Sequence, residues 1–311
     1  MNVLDRRLVE DVANRLGTDA GLVEKDWYVV RAIGVLADFD HGEVKPAFSG
    51  GTSLSKGWGL IKRFSEDIDF KVDIPAEASH AKDKRRRREY REQILSALQA
   101  VEFVLDGEVI KADEGRFFGA NFTYPTNFAA GKGLRPHLKV EMTMTGPALA
   151  TVNKPIRSLI GEAQGKAPEV ESFPCVDAVE TAADKLSALA WRVCTRQQGS
   201  EKDDPTIIRH LHDLAALEAH VATAPQFNSL VQNAAADDAG RGGGSAPADA
   251  ADRLAMMLGR LQSEPFWALE YNEFVRQLSF ASPDETIGFD RALAATCRLC
   301  TIVAQAAFGP S

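Results

Sequence analysis

The sequence predicts an α+β fold, with a small sheet in the first half of the chain and a mostly helical C-terminal part. Three observations predict it. Apolar and polar residues alternate at period two in Asp67-Ile-Asp-Phe-Lys-Val-Asp73 and in Leu138-Lys-Val-Glu-Met-Thr-Met144, the pattern of strands with one buried face. Apolar residues recur at helical spacing before the first of these strands and through most of the chain after Asp177. Gly50-Gly51 follows the short apolar run Pro46-Ala47-Phe48 and precedes a helix-compatible segment from Leu54 to Ile61, which reads as strand, tight turn and helix start.

In chain order, Leu4, Leu8, Val12 and Leu16 suit an amphipathic helix. A second helix from Leu22 to about Phe39 carries Val23, Trp27, Val30, Ile33 and Leu36 on one face. Thr18 or Asp19 can cap it, and its opening, Glu24-Lys-Asp-Trp27, reads as a solvated first turn. At the glycine turn, Thr52 or Ser53 serves as N-cap, and free backbone N–H groups at such an end favour an anion.

On the following strand Asp67, Asp69, Lys71 and Asp73 share one face, and Ile68, Phe70 and Val72 share the other. Two neighbouring carboxylates repel unless something positive lies between them. Mg²⁺, held by one or two carboxylates plus substrate phosphates, answers that need. An Asp-x-Asp pair alone is an ordinary solvated strand face. Behind a phosphate-compatible turn, with Arg63 and Ser65 just before it, the pair points to phosphoryl or nucleotidyl transfer.

Next comes the basic run Lys82-Asp-Lys-Arg-Arg-Arg-Arg-Glu-Tyr-Arg91, leading into a helix with Tyr90, Ile94, Leu98 and Val101 inward. A charge run heading a helix is ordinarily a solvated face; in this acidic chain it is also the place for phosphate contact. Strand-like pieces follow at Glu108–Lys111, Phe117–Tyr124 and Leu138–Met144, with Lys139, Glu141 and Thr143 on the polar face of the last. Helical patterns then run from Asp177, over Thr206–Leu217, Arg253–Leu261, Glu270–Leu278 and Asp290–Phe308. A Gly/Ala/Asp-rich stretch at 233–252 reads as a flexible insert. His210 and His212 point about 200° apart on a helix and do not chelate one ion together. Cys297-Arg-Leu-Cys300 lacks the second pair a zinc site needs, so the cysteines read as buried residues on helices.

The residues around the turn and strand resemble the AbiEii/AbiGii-type toxin group of the polymerase-beta-like nucleotidyltransferases. That group's pattern is Gly-Gly-Thr-x-Leu-x-Lys, then Arg-x-Ser-x-Asp-Ile-Asp-Phe. This chain supplies Gly50, Gly51, Thr52, Leu54 and Lys56, then Arg63, Ser65, Asp67, Ile68, Asp69 and Phe70. Weaker matches extend from about residue 20 to 220, including Glu24-Lys-Asp-Trp27 where the group has Glu-Lys-Asp-Tyr.

The resemblance implies a small mixed sheet of the nucleotidyltransferase type and a metal-dependent transfer of NMP from NTP to an acceptor hydroxyl. Asp67 and Asp69, with Glu141 as the third carboxylate on a neighbouring strand, would be catalytic and hold Mg²⁺ or Mn²⁺. Gly50, Gly51, Thr52, Ser53, Lys56, Arg63 and Ser65 would bind the nucleotide. Lys185, in a match to Lys-Leu-x-Ala-Leu-x-x-Arg, would serve the phosphates. Asp213 matches the second acid of Arg-Asp-x-x-Asp-Leu, but His210 stands where the first acid is usual. The resemblance further implies the toxin of a toxin–antitoxin or abortive-infection system, a cognate antitoxin, and RNA, tRNA above all, as acceptor. A protein hydroxyl as acceptor and a catalytically silent nucleotide-binding or docking module are the alternatives. A P-loop phosphotransferase does not fit, because Gly50 to Lys56 lacks the Gly-Lys-Ser/Thr ending.

At 311 residues the chain is long enough for two subdomains, expected at 1–165 and 166–311. With 45% hydrophobic and 26% charged residues it has an ordinary globular composition. No apolar run is long enough to span a membrane, the N-terminus is charged, and four cysteines argue against a disulfide framework, so a cytoplasmic location is expected. A net charge of −8 leaves any nucleic-acid contact to local patches.

Overall fold

The computed structural model describes residues 4–129, 134–201, 203–240 and 246–307. The chain divides into two compact units, Met1–Val176 and Asp177–Ser311.

The first unit contains helices α1 (Arg6–Leu16), α2 (Ala20–Asp38), α3 (Gly50–Lys56), α4 (His80–Gln99) and α5 (Leu159–Ala163). Its strands are β1 (Lys45–Ser49), β2 (Asp67–Asp73), β3 (Val104–Ala112), β4 (Phe117–Thr123), β5 (Leu138–Thr143), β6 (Val152–Ile156) and β7 (Val170–Cys175). They form one mixed sheet in the order β3-β4-β5-β2-β1-β7-β6. β2 runs parallel to β5 and antiparallel to β1, and β1 touches β7 in parallel. The buried face of β2, β4 and β5 carries Ile68, Phe70, Val72, Phe118, Phe122, Leu138, Val140 and Met142. These pack with Tyr28, Val29 and Ile33 of α2 and with Tyr90, Ile94 and Leu98 of α4. Period-two alternation thus puts the apolar set into the core and the polar set onto the opposite face.

Caps explain several boundaries. Asp5 and Asp19 accept from Arg7 N and Gly21 N at the starts of α1 and α2, so the cap of α2 is Asp19 and not Thr18. Gly17, at φ 62°, ends α1 in the left-handed conformation.

The structure departs from several expectations. Strands β6 and β7 and helix α5 have too little periodicity to announce themselves. Both strands belong to the sheet, and the first compact unit runs to Val176. Val101 follows the end of α4 and is exposed instead of packing inward. Cys175 is buried on a strand, and Cys297 is only half-buried on its helix.

The second unit is helical: α6 (Ala178–Thr195), a short 3₁₀ turn at Pro205–Ile208, α7 (Arg209–Val221), α8 (Phe227–Gly240), α9 (Ala250–Ser263), α10 (Phe266–Leu278) and α11 (Phe289–Ala307). Asp177 caps α6 by accepting from Val179 N. Leu186, Leu189, Val193, Leu211, Leu214, Leu217 and Trp267 form its core, all fully buried. The expected insert at 233–252 is mostly regular: 233–240 complete α8 and 250–252 open α9, while 241–245 lie outside the described residues. Alanine in that stretch supplies helix propensity, which a composition-based reading undervalues. Among the described residues no helix is long and apolar enough to cross a membrane.

Candidate active site

The site is built from the sheet register. Ser49, at the end of β1, lies opposite Asp69 of β2; on the other side Asp69 lies opposite Glu141 of β5. One step along, Asp67 lies opposite Lys139. The polar face of the sheet therefore carries Asp67, Asp69 and Glu141 on two adjacent parallel strands. The third carboxylate stands beside the second.

The glycine turn is fitted to these carboxylates. Gly50 has φ +72°, and a Cβ there would lie 2.1 Å from Asp69 Oδ2. A Cβ on Gly51 would lie 2.8 Å from both Arg63 Nη2 and Ser65 Oγ. Both glycines are thus required by close approach, the first also by its backbone conformation. Thr52 is fully buried, and its hydroxyl donates to the Asp67 carbonyl, tying the start of α3 to the start of β2. The Ser53 hydroxyl is buried beside the Cys175 thiol. Arg63 is buried and donates from Nη1 to the Phe64 carbonyl at 2.9 Å. Lys56 pairs with the buried carboxylate of Asp26, which also accepts from Leu159 N at 2.7 Å. The Thr52 hydroxyl and the Lys56 ammonium, proposed from sequence for the nucleotide, are thus engaged within the protein.

Two carboxylates carry cations. Arg135 Nη1 donates to Asp67 Oδ1 at 2.8 Å, and Lys139 Nζ lies 2.7 Å from Glu141 Oε1. Among the described residues no three His, Cys, Asp or Glu side chains converge into a metal-holding group. The donor chemistry nevertheless fits a hard divalent ion: carboxylate oxygens on one face, with two single positive charges now standing where an ion's charge would act.

Sequence reasoning missed the support beneath this site. Glu24, Lys25 and Asp26, read as a solvated turn, are each 1% exposed. Consecutive helical residues point about 100° apart, so burial of all three means that protein surrounds α2 here. Glu24 accepts from Thr126 Oγ1, Asn127 N and Phe128 N at 2.5, 2.8 and 3.2 Å, fixing the segment after β4. Lys25 Nζ donates to Glu66 Oε2 at 2.5 Å and to the Arg135 carbonyl at 2.8 Å. Glu66 also accepts from Arg135 N at 2.9 Å. Lys25 and Glu66 thereby hold the backbone of Arg135, whose guanidinium meets Asp67. Burial lowers the pKa of Lys25 against the raising effect of Glu66. The signal available in sequence was the Glu-Lys-Asp triplet itself; its partners lie far along the chain.

In the second unit Lys185 Nζ sits 2.8 Å from Asp213 Oδ2 and 3.4 Å from His210 Nδ1. Burial first, then Lys185, holds the pKa of His210 well below 6.5, so the ring is neutral. Asp213 is fully buried; His212 is buried against Tyr271 and Phe274. The Asp213 carboxylate is thus the counter-ion of Lys185, and the His210 ring is a neutral neighbour in place of an acid.

A family model described as nucleotidyl transferase AbiEii toxin, type IV TA system, matches residues 35–295. No curated protein gives a significant match. Among solved structures the chain resembles MenT4, a nucleotidyltransferase toxin from Mycobacterium tuberculosis. The TM-score is 0.54 at 20% identity, over 97% of this chain and 99% of that one. At that identity the likeness shows a shared fold.

Proposed function

Since the chain belongs to the AbiEii family of nucleotidyl transferase toxins of type IV toxin–antitoxin systems, we propose that it moves an NMP from an NTP to an RNA hydroxyl at the Asp67–Asp69–Glu141 face. The observation that carries this reading is the row Ser49, Asp69, Glu141, with the missing side chain of Gly50 giving Asp69 its place.

In this proposal Asp67, Asp69 and Glu141 would hold Mg²⁺ or Mn²⁺, which when bound would supply positive charge to offset that of the phosphates. Arg135 and Lys139 keep the carboxylates from repelling one another until then. The Gly50-Gly51 turn presents backbone N–H groups to the triphosphate, and Ser65, beside Gly51, adds a hydroxyl. The buried Thr52, Ser53, Lys56 and Arg63 act by shaping the turn. Lys185 is proposed as a phosphate-binding cation, with Asp213 fixing its position. The acceptor hydroxyl loses its proton to a carboxylate of the trio and attacks the α-phosphorus in line; pyrophosphate leaves. A tRNA end as acceptor, a cytoplasmic setting and a cognate antitoxin belong to the same reading.

Incubation with each α-labelled NTP and total RNA tests it. The expected result is label in an RNA band with release of pyrophosphate. Label on protein alone would move the acceptor to a protein hydroxyl. Nucleotide binding without pyrophosphate release would make the chain a silent binding module.

A further inference from the structure

Along α4 the basic run does more than face solvent. It forms one wall of a cleft of about 790 Å³ whose other wall is the end of β3 and the turn after it. Lys84, Arg85, Arg87, Arg88, Arg91 and Lys111 line the cleft. Its two acids already have partners: Glu114 meets His80 at 2.8 Å, and Asp113 meets Arg116 at 3.6 Å. The ion pairs that Arg85 and Arg88 make are loose. Arg85 and Arg88 reach Glu89 and Glu92 at 3.5 and 3.8 Å, as exposed pairs one helical turn apart that are worth little. Arg91 is buried and Arg87 is half-buried. Nε and Nη2 of Arg87 are buried and have no hydrogen-bond partner. Buried N–H groups left without an acceptor are costly, and an arriving phosphate oxygen would satisfy them.

We propose that this cleft binds the phosphodiester backbone of RNA, without regard to base sequence. The claim rests on the RNA-acceptor reading above and adds the place where the acceptor is gripped. Lys84, Arg87, Arg88 and Arg91 lie at i, i+3, i+4 and i+7, one stripe of the helix about 10 Å long, enough to follow a few successive phosphates. Apart from the cations and the two paired acids, Asp113 and Glu114, the cleft is lined by Ala81, Ala112 and Gly115. An acidic protein partner would be anchored by aromatic or large apolar side chains, and none lines this cleft. The same lack of aromatics gives no platform for base stacking, so recognition stops at the backbone. In a chain with net charge −8, this patch is the local concentration of positive charge that phosphate binding needs.

The test is fluorescence anisotropy of a labelled RNA hairpin with the full-length protein carrying Asp69→Asn, so that only binding is read. Lys84→Ala with Arg88→Ala is expected to weaken binding by about tenfold and to lower the slope of log affinity against log salt by about 1.5. Arg87→Met is expected to weaken binding by a similar factor while leaving Tm unchanged or raised, because it removes two buried N–H groups that have no acceptor. A structural arginine would lower Tm instead. Affinity within twofold of the parent in both variants overturns the proposal, as does poly-glutamate binding the cleft as tightly as RNA. Because no transfer is measured, a failure of the catalytic reading leaves this result legible, and the reverse also holds.

Discussion

Gly50 and Asp69 meet more closely than any ordinary side chain would allow. Placing a Cβ 2.1 Å from a carboxylate oxygen, at a residue with φ +72°, forces either the turn or the carboxylate to move. Gly50→Ala should therefore destabilise the protein by about 1–2 kcal/mol through its left-handed backbone. It should also lower nucleotide transfer by at least about a hundredfold, as expected of an ångström-scale misplacement. Denaturant titration and transfer kinetics on the same preparation check both parts, and a variant that retains transfer contradicts the close-approach argument. The glycines and both aspartates were legible because local pattern specifies them: a turn, then period-two alternation. Arg135 was not. Its contact with Asp67 spans 68 residues and begins in an irregular segment with no periodicity to read.

Helix α2 works as a bracket for the elements around it. Consecutive residues Glu24, Lys25 and Asp26 fix the segment after β4, the Glu66–Arg135 pair and Lys56 in turn. Removing one partner of a buried pair leaves the other unpaired, so Lys25→Met should cost about 3–5 kcal/mol. Lys25→Met with Glu66→Gln should recover part of that loss in a double-mutant cycle; strictly additive losses would deny the pairing. Local amphipathicity could place α2 but not its partners, and a charged triplet resembles a solvated turn until the surrounding elements are known.

On α7, His210 gives a pH dependence. Its pKa in the folded state lies well below 6.5. Above pH 6.5 neither state binds the proton, and the ring does not affect stability. Below pH 6.5 the unfolded chain takes the proton first, so stability falls with pH by up to about 1.4 kcal/mol per unit. His210→Gln should remove that share of the slope in urea melts from about pH 7 to pH 5; an unchanged slope contradicts the assignment.

At the scale of the whole molecule, the chain is a nucleotidyltransferase whose sheet, carboxylates and glycine turn lie in the first unit and whose second unit is helical. Among the described residues the first unit's sheet has seven strands, and the outer pair β6–β7 escaped the sequence reading because Val152–Ile156 and Val170–Cys175 are short and only weakly alternating. An ion that binds only the folded chain stabilises all of it. Mg²⁺ at a hundredfold excess over its Kd should add about 2.7 kcal/mol. The gain should disappear in Asp67→Asn with Asp69→Asn, where a thermal-shift titration showing equal stabilisation would place the ion elsewhere.

Asp69, set between Gly50 and Glu141, is expected to be indispensable to transfer and not to folding. Transfer of label from α-labelled NTP to RNA, measured for the parent and for Asp69→Asn beside their melting curves, tests it directly. A folded variant with transfer at background is expected; a folded variant with undiminished transfer would rule out that role for Asp69.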